Sequence, residues 1–383
     1  MHHDPGLEVL GHLLEASHDL APDDIVAAVA RAGRALDAED IAIRLVDYRQ
    51  TLLVPLPDGT DRTPLEIDTT LAGRAFAAIA VQEADAASGR RLWLPLLDGA
   101  ERLGVLSLTL PRADDALRVR CNWLATLVAE LLMTKGQYTD SYSLTRRRQP
   151  MSLAAEMQWQ LLPPLTFVTP RVVIAGLLEP AYEVAGEAFD YALNGDTAHL
   201  AVMDPVGHDL AATVLAGVTV GGYRHSRRAG LGLADTYAAV DQAIATQFGG
   251  ERFVTGQLAQ RDCVTGRLQW LNAGIPCRCW CSEPRWSTPW PATRPRHWDS
   301  ASANPRSPPP LSSRRPGPVL HRRSHRGPQP GRRTLRGGPP GRPPGPRDPG
   351  GQPAAETMRR LAHAIVAHQG RTPRYEATMV FLE

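Results

Sequence analysis

The strongest structural signal in this chain lies in residues 186–209, which read GEAFDYALNGDTAHLAVMDPVGHD. Asn194 and Gly195 form the residue pair that most favours a two-residue β-hairpin turn, because both tolerate positive φ. With these two residues at the turn, Glu187 is expected opposite Val202. Asp204 shares a strand face with Val202, so it is expected diagonally next to Glu187. The sequence therefore predicts a hairpin with two carboxylates at its open end.

Two carboxylates at such a short distance repel each other unless a cation lies between them. Hard divalent ions such as Mg²⁺ and Mn²⁺ prefer oxygen ligands of this kind. Gly207 allows a sharp turn after Asp204, and Asp209 is expected to cap a helix over residues 210–228. An ordinary hairpin with polar residues at its mouth is the alternative that these residues alone leave open.

Several ordered motifs resemble the PPM family of metal-dependent protein phosphatases, and more narrowly its stage II sporulation protein E-like branch. The motifs are GEAFDY (186–191), DPVGHD (204–209), FGGERFVT (248–255), NAGIP (272–276) and YEAT (375–378). The resemblance covers residues 150–276 and again 353–383. It implies an α-β-β-α sandwich that hydrolyses serine or threonine phosphate on a protein.

The resemblance also implies a site for two Mn²⁺ or Mg²⁺ ions. It assigns the catalytic roles to Asp204 and Glu187. The metal ligands that it implies are Glu187, Asp204, the backbone carbonyl of Pro205, and Glu376. The residues that it places beside these ligands, where they would support or orient them, are Asp190, Gly207, His208 and Asp209. The substrate that it implies is a phosphorylated regulatory protein such as an anti-anti-sigma factor with a STAS fold.

The chain departs from the family pattern at several of these positions. Glu187 stands where the family has Asp, which keeps the charge but adds a methylene. Ile275 replaces the His of an Asn-Ala-Gly-His motif. Tyr375 replaces a metal-binding Asp, and the side chain of the neighbouring Glu376 would point to the other face of a strand. A catalytically dead pseudophosphatase that acts as a sensor or scaffold is therefore the alternative function.

Residues 277–353 are rich in Pro and Arg and contain almost no acidic side chains. Such a composition buries too little apolar surface to fold, so this segment is expected to be disordered. A tail that binds nucleic acid or an SH3-like domain is one interpretation. We favour a compensated frameshift, because residues 320–327 are compatible with a shifted frame that encodes the family's metal-binding Thr-Asp-Gly. On this interpretation the chain lacks one metal ligand.

Residues 1–135 are expected to form a separate sensor domain. Helices are predicted over 7–16, 24–36 and 116–133, and strands over 41–46, 51–56, 91–97 and 103–110. This order of elements resembles a GAF domain, with residues 93–96 and 102–106 similar to its core strands. GAF domains often bind a small molecule on one face of the sheet. A ligand-free dimerisation module explains the same residues equally well.

A helical linker over residues 136–165 is expected to join this domain to a phosphatase domain over 166–383. Ser152 is predicted to cap a helix that continues to residue 162 and stops at Pro163. In the family the matching helix relays a sensor signal, although a simply packed linker explains these residues as well.

A helix over 354–368 and a strand over 378–382 complete the pattern. The predicted fold class is therefore α+β, with a GAF-like α/β sensor domain followed by a PPM-type α-β-β-α sandwich that the Pro/Arg-rich segment interrupts.

The charge pattern restricts the expected partners. The formal net charge is +2, but the basic excess lies in residues 277–353, so nucleic acid is not an expected partner. The sequence shows no basic secretory n-region and no apolar run of about 18 residues. A cytoplasmic protein without membrane contact is therefore predicted. A small-molecule ligand of the GAF-like domain and a homodimer are further expectations.

Overall fold

The computed structural model describes residues 5–57, 62–179, 181–182, 186–275, 319–320, 353–368 and 377–382. The chain divides into two compact units, Met1–Pro150 and Met151–Glu383. Helices and antiparallel sheets occur in both units, which confirms the predicted α+β class. The domain boundaries that the sequence indicates at residues 135 and 165 stay predictions.

The first unit contains one six-stranded antiparallel sheet in the order β3-β2-β1-β6-β5-β4. Its strands are β1 (Glu39–Val46), β2 (Leu52–Pro55), β3 (Leu65–Glu66), β4 (Gln82–Ala86), β5 (Gly89–Asp98) and β6 (Glu101–Leu110). Its helices are α1 (Pro5–Ala16), α2 (Ile25–Ala35), α3 (Leu71–Ala78), α4 (Asp115–Gly136) and α5 (Ser141–Arg146).

The alternation of side chains gives this sheet two buried faces. Leu45 of β1 and Leu106 of β6 point to the face that packs against α2 and α4. Val105 of β6 points to the other face and packs against Phe76 of α3. Both faces of the central strands are therefore covered by helices.

Gly73 in α3 lies against the backbone that precedes the helix, and a Cβ at this position would stand 1.9 Å from the carbonyl oxygen of Ile67. We expect Gly73→Ala to destabilise the first unit by about 3 kcal/mol, because the added methyl group meets backbone rather than a flexible side chain. Gly11 in α1 is the matched control, since a Cβ there meets nothing within 4 Å. Gly11→Ala should stabilise by up to about 1 kcal/mol, as alanine favours helix. Urea unfolding measures both changes, and equal effects would contradict the expectation.

The described residues of the second unit form two four-stranded sheets, in the orders β12-β11-β10-β9 and β13-β14-β8-β7. The strands are β7 (Thr166–Thr169), β8 (Val172–Glu179), β9 (Ala188–Asn194), β10 (Thr197–Pro205), β11 (Val254–Asp262), β12 (Leu268–Ala273), β13 (Val319–Leu320) and β14 (Ala377–Leu382). The helices are α6 (Leu153–Leu161), α7 (Leu210–Arg228), α8 (Leu233–Phe248) and α9 (Ala354–His368).

The two sheets of the second unit pack face to face. Phe189 of β9 and Val380 of β14 belong to the apolar layer between them. Met203 of β10 points to the outer face of the first sheet, which α7 and α8 cover. Leu177 of β8 packs against Met358 of α9 on the outer face of the second sheet. The described residues thus form the α-β-β-α sandwich that the sequence predicts.

The predicted hairpin is present, but its turn lies one residue later than expected, which shifts the cross-strand pairing by two residues. Asn194 pairs with Thr197, so Gly195 and the residue after it are the central residues of the turn. Gly195 has a φ of +59°, as a type II′ turn with glycine in its first central position requires. The predicted pairing of Glu187 with Val202 is therefore wrong.

Of the Pro/Arg-rich segment 277–353, the structure describes only residues 319–320 and 353. Residues 319–320 form β13, which pairs with β14 rather than being disordered. Elsewhere in the segment the predicted disorder and frameshift fall outside the described residues and stay predictions. Among the helices in the described ranges, none has the length and apolar character needed to cross a membrane.

Candidate functional site

Glu187 and Asp204 lie opposite each other at one end of the first sheet of the second unit. Met203 pairs with Ala188, the first residue of β9. Asp204, which follows Met203, is therefore placed across from Glu187, which precedes Ala188. Asp204 shares the face of Val202, which belongs to the layer between the sheets. Glu187 is 1% exposed and Asp204 is 9% exposed. Two carboxylates buried at facing positions repel each other, so the arrangement favours a cation between them.

Thr255 lies on the other side of Asp204. Strand β11 pairs with β10 and places Thr255 directly opposite Asp204. The Thr255 hydroxyl lies 3.3 Å from Oδ2 of Asp204 and 3.3 Å from its carbonyl oxygen. A hydroxyl fixed in a strand restricts the orientations that the carboxylate can adopt.

Helix α6 contacts the backbone of Glu187. The predicted cap of this helix is formed, since the Ser152 hydroxyl accepts a hydrogen bond from the Ala155 backbone N at 3.1 Å. Gln158 is 1% exposed, and its amide nitrogen donates to the carbonyl oxygen of Glu187. Its Oε1 makes no hydrogen bond within the described part of the chain. The helix therefore positions the segment that carries Glu187.

The segment after Asp204 turns sharply into α7. Pro205 is buried at the end of β10, and His208 is exposed. Gly207 has a φ of +105°, a conformation that favours glycine. Asp209 forms the predicted helix cap, as its Oδ1 accepts from the Ala212 backbone N at 3.1 Å. The turn from 205 to 209 therefore lies at the same end of the sheet as Asp204.

Asp190 lies on the opposite face of the sheet from Glu187. Its Oδ1 accepts from Nε and Nη2 of Arg224 at 3.0 Å and 2.8 Å, and its Oδ2 accepts from Nη1 of Arg227 at 2.7 Å. Arg224 also donates to the carbonyl oxygen of Leu161, at the end of α6, at 2.7 Å. Asp190 therefore joins β9, α7 and α6, and the structure does not bring it together with Glu187.

Burial shifts the pKa of two side chains next to this charged cluster. Burial raises the pKa of Tyr223, whose ring centroid lies 5.1 Å from the guanidinium carbon of Arg227. Burial, and then the charge of Arg227, lowers the pKa of His199. Both side chains are therefore neutral at pH 7, and the charges of the cluster are those of Asp190 and its two arginines.

The NAGIP motif forms a tight turn at the end of β12. Asn272 donates from Nδ2 to the carbonyl oxygen of Ile275 at 3.0 Å, and Gly274 has a φ of +84°. Ile275, which replaces the histidine of the family motif, is 3% exposed. The turn therefore places a packed apolar side chain where the family has an imidazole.

The fourth predicted ligand, Glu376, lies outside the described residues. Thr378 shares its strand face with Val380, in the layer between the sheets, and is fully buried. Its hydroxyl makes no hydrogen bond within the ranges that the structure describes. In those ranges, no group of three or more His, Cys, Asp or Glu side chains gathers to hold a metal ion. The described donor set is therefore the pair of Glu187 and Asp204.

This donor set fits a hard divalent cation. Mg²⁺ is commonly held by one or two carboxylates, with water and substrate phosphate oxygens as its other ligands. Two buried carboxylates at facing strand positions meet that requirement for one ion. The predicted roles of the site residues stay predictions, and so does the second ion.

The sequence motifs did not predict a functional role for Thr255 or Gln158. Thr255 lies inside the FGGERFVT motif, which was the only available signal for it. Its contact with Asp204 depends on the pairing of β11 with β10, two strands separated by α7 and α8. No local residue pattern reveals such a pairing.

Residues 194–289 match the family model of stage II sporulation protein E (SpoIIE). This match confirms the branch that the motifs indicate, and it spans β10, α7, α8, β11 and β12. No protein of curated function matches the chain in sequence.

Three solved structures are similar to parts of this chain. The GAF domain from an Acinetobacter phosphoenolpyruvate-protein phosphotransferase is 15% identical over 36% of this chain and 98% of that chain, with a TM-score of 0.30. The SiaA-PP2C domain of Pseudomonas aeruginosa is 16% identical over 60% of this chain and 93% of its own, with a TM-score of 0.43. RsbX in complex with magnesium is 11% identical over 57% of this chain and 97% of its own, with a TM-score of 0.41.

Proposed function

We propose that the second unit is a metal-dependent phosphatase that hydrolyses phosphoserine or phosphothreonine on a regulatory protein. The observation that carries this proposal is the buried pair of Glu187 and Asp204 at facing strand positions. The family match over residues 194–289 supports it. The substrate class comes from the resemblance, in which the phosphorylated protein is an anti-anti-sigma factor.

In this proposal each residue of the site has a physical task. Glu187 and Asp204 hold a Mg²⁺ or Mn²⁺ ion, which supplies Lewis-acid chemistry by polarising a phosphoryl oxygen and acidifying water. Thr255 keeps the Asp204 carboxylate in one orientation. Gln158 fixes the backbone of Glu187 from α6. The backbone N–H groups at the start of α7, beyond the Asp209 cap, favour an anion at this end of the sheet.

Two measurements on the full chain test the proposal. One is turnover of p-nitrophenyl phosphate, and the other is Mn²⁺ binding measured by calorimetry. We expect turnover that requires Mn²⁺ or Mg²⁺ and stops when a chelator removes the ion. The absence of both turnover and Mn²⁺ binding would contradict the phosphatase proposal.

A pseudophosphatase is the second candidate function. The observation that favours it is the donor set, which comprises two carboxylates in the described ranges rather than a group of three or more. The substitutions at Ile275 and Tyr375 point in the same direction. Mn²⁺ binding without turnover of either p-nitrophenyl phosphate or a phosphorylated protein would support this candidate.

The Thr255 hydroxyl gives a milder test of the same site. We expect Thr255→Val to lower turnover and Mn²⁺ affinity by about 10-fold, as is typical when a residue that orients a metal ligand is lost. Thr255→Ser is the matched control, because it keeps the hydroxyl. If valine and serine variants behave alike, the hydroxyl does not orient Asp204.

We propose that the first unit is a sensor that binds a small molecule and thereby regulates the phosphatase. We also propose that the protein acts in the cytoplasm and that the chain forms a homodimer. The test is a comparison of turnover by the full chain with and without candidate ligands, together with the molar mass in solution. A ligand that binds the first unit and leaves turnover unchanged would argue against this regulation.

A further inference from the structure

We infer that Arg252 binds the phosphate group of the substrate, an inference that rests on the proposed phosphatase function. Arg252 lies in the loop between α8 and β11. The backbone N of Val206 donates to the carbonyl oxygen of Phe253 at 3.0 Å. The two segments run antiparallel, so Gly207, which follows Val206, lies opposite Arg252, which precedes Phe253. Arg252 is therefore at the end of the sheet that carries Asp204.

The guanidinium group of Arg252 lies against the turn that follows Asp204. A Cβ on Gly207 would stand 3.7 Å from Nη1 of Arg252 and 3.9 Å from Oδ1 of Asp209. Arg252 is partly exposed. Within the described ranges, no hydrogen bond or ion pair engages its side chain. The guanidinium is therefore available to a ligand that enters the open end of the sheet.

The charges at this end of the sheet favour such a cation beside the substrate. A phosphate monoester carries a charge of about −2 at neutral pH, and Glu187, Asp204 and Asp209 all repel it. A guanidinium group presents paired N–H donors that match two phosphate oxygens. Arg224 and Arg227 are engaged with Asp190 on the opposite face of the sheet, so they do not serve this purpose.

The role of Arg252 differs from that of the carboxylates. It contacts the substrate rather than the ion, so its removal should weaken binding of phosphate compounds while metal binding persists. Loss of a charge-assisted hydrogen bond of this kind weakens binding by about 10-fold or more.

The test uses the full chain with Mn²⁺, p-nitrophenyl phosphate as substrate and inorganic phosphate as inhibitor. We expect Arg252→Ala to raise KM and the inhibition constant of phosphate by about 10-fold each, with unchanged Mn²⁺ affinity in calorimetry. Arg252→Lys should recover part of the loss, because it keeps the charge but not the paired donors. Arg267→Ala is the matched control, since Arg267 is exposed beyond the opposite end of β11 and should leave both constants unchanged.

Unchanged KM and phosphate inhibition in Arg252→Ala would overturn the inference, and so would a loss of Mn²⁺ binding in this variant. If the wild-type chain shows no turnover, KM cannot be measured, and calorimetry with inorganic phosphate and Mn²⁺ decides the inference instead. Phosphate binding by the wild type that Arg252→Ala loses would support the inference. Equal binding in both proteins, or binding in neither, would overturn it.

Discussion

Asp204→Asn is expected to lower metal-dependent turnover by more than about 100-fold, because loss of a ligand exceeds the 10- to 100-fold effect of losing a residue that merely supports one. Asn keeps the size of the side chain but removes the charge that holds the ion. Turnover of p-nitrophenyl phosphate at saturating Mn²⁺ measures the effect. Activity that survives the substitution would show that the site lies elsewhere.

The same substitution has an opposite expected effect on stability. Without metal, Asp204→Asn removes one of two buried charges at facing positions, so its thermal midpoint should exceed that of the wild type. Added Mn²⁺ should stabilise the wild type, because a ligand that binds only the folded state raises its stability. The variant should not respond to Mn²⁺.

Asp196→Asn is the control for these measurements. Asp196 lies at the turn of the same hairpin and is 58% exposed, so neither turnover nor the response to Mn²⁺ should change. A metal-free Asp204→Asn chain that is less stable than the wild type would contradict the proposed repulsion.

Asp190→Asn is expected to destabilise the second unit by about 3–5 kcal/mol. The substitution leaves Arg224 and Arg227 without the carboxylate that both contact, and the side chain of Arg227 is only 8% exposed. A buried charge that is left without its partner destabilises the fold far more than an exposed charge left without its partner. Urea unfolding of the second unit measures the difference.

The exposed pair of Arg171 and Asp196 supplies the comparison. Its side chains are 59% and 58% exposed, so Asp196→Asn should cost at most about 1 kcal/mol. Combining Asp190→Asn with Arg227→Met should cost less than the sum of the two single changes, because the second change removes a charge that the first leaves without its carboxylate. Strict additivity would show that the residues do not act as a unit.

Local signals in the sequence predicted much of the fold. Residues 354–368 were predicted to form a helix, and α9 spans Ala354–His368. The caps at Ser152 and Asp209 could be predicted because a side chain and a backbone N–H three residues later suffice to form them. The predicted turn was misplaced by one residue and the strand pairing by two, because Asn194-Gly195 also fits a turn in which glycine comes first.

The candidate site was predictable only in part, for a related reason. Glu187 and Asp204 belong to one hairpin, so their proximity follows from a short stretch of sequence. Thr255, Gln158 and Arg252 come from a later strand, an earlier helix and a loop. Their positions depend on long-range packing, which residue patterns within a single element do not encode.

The pairing of β8 with β14 has a consequence for how the second unit folds. The strands of the first sheet are joined by short hairpins and by the helices α7 and α8. In contrast, β8 pairs with β14, which lies far along the chain, after α9. Strand pairings between residues far apart in sequence form slowly, because closing the loop costs entropy before the stabilising contacts are made. Strands β9 and β10 can therefore assemble early, with Phe189 still facing water. Closure of the sandwich is then expected as a late step, and until it occurs the uncovered apolar layer is expected to favour aggregation.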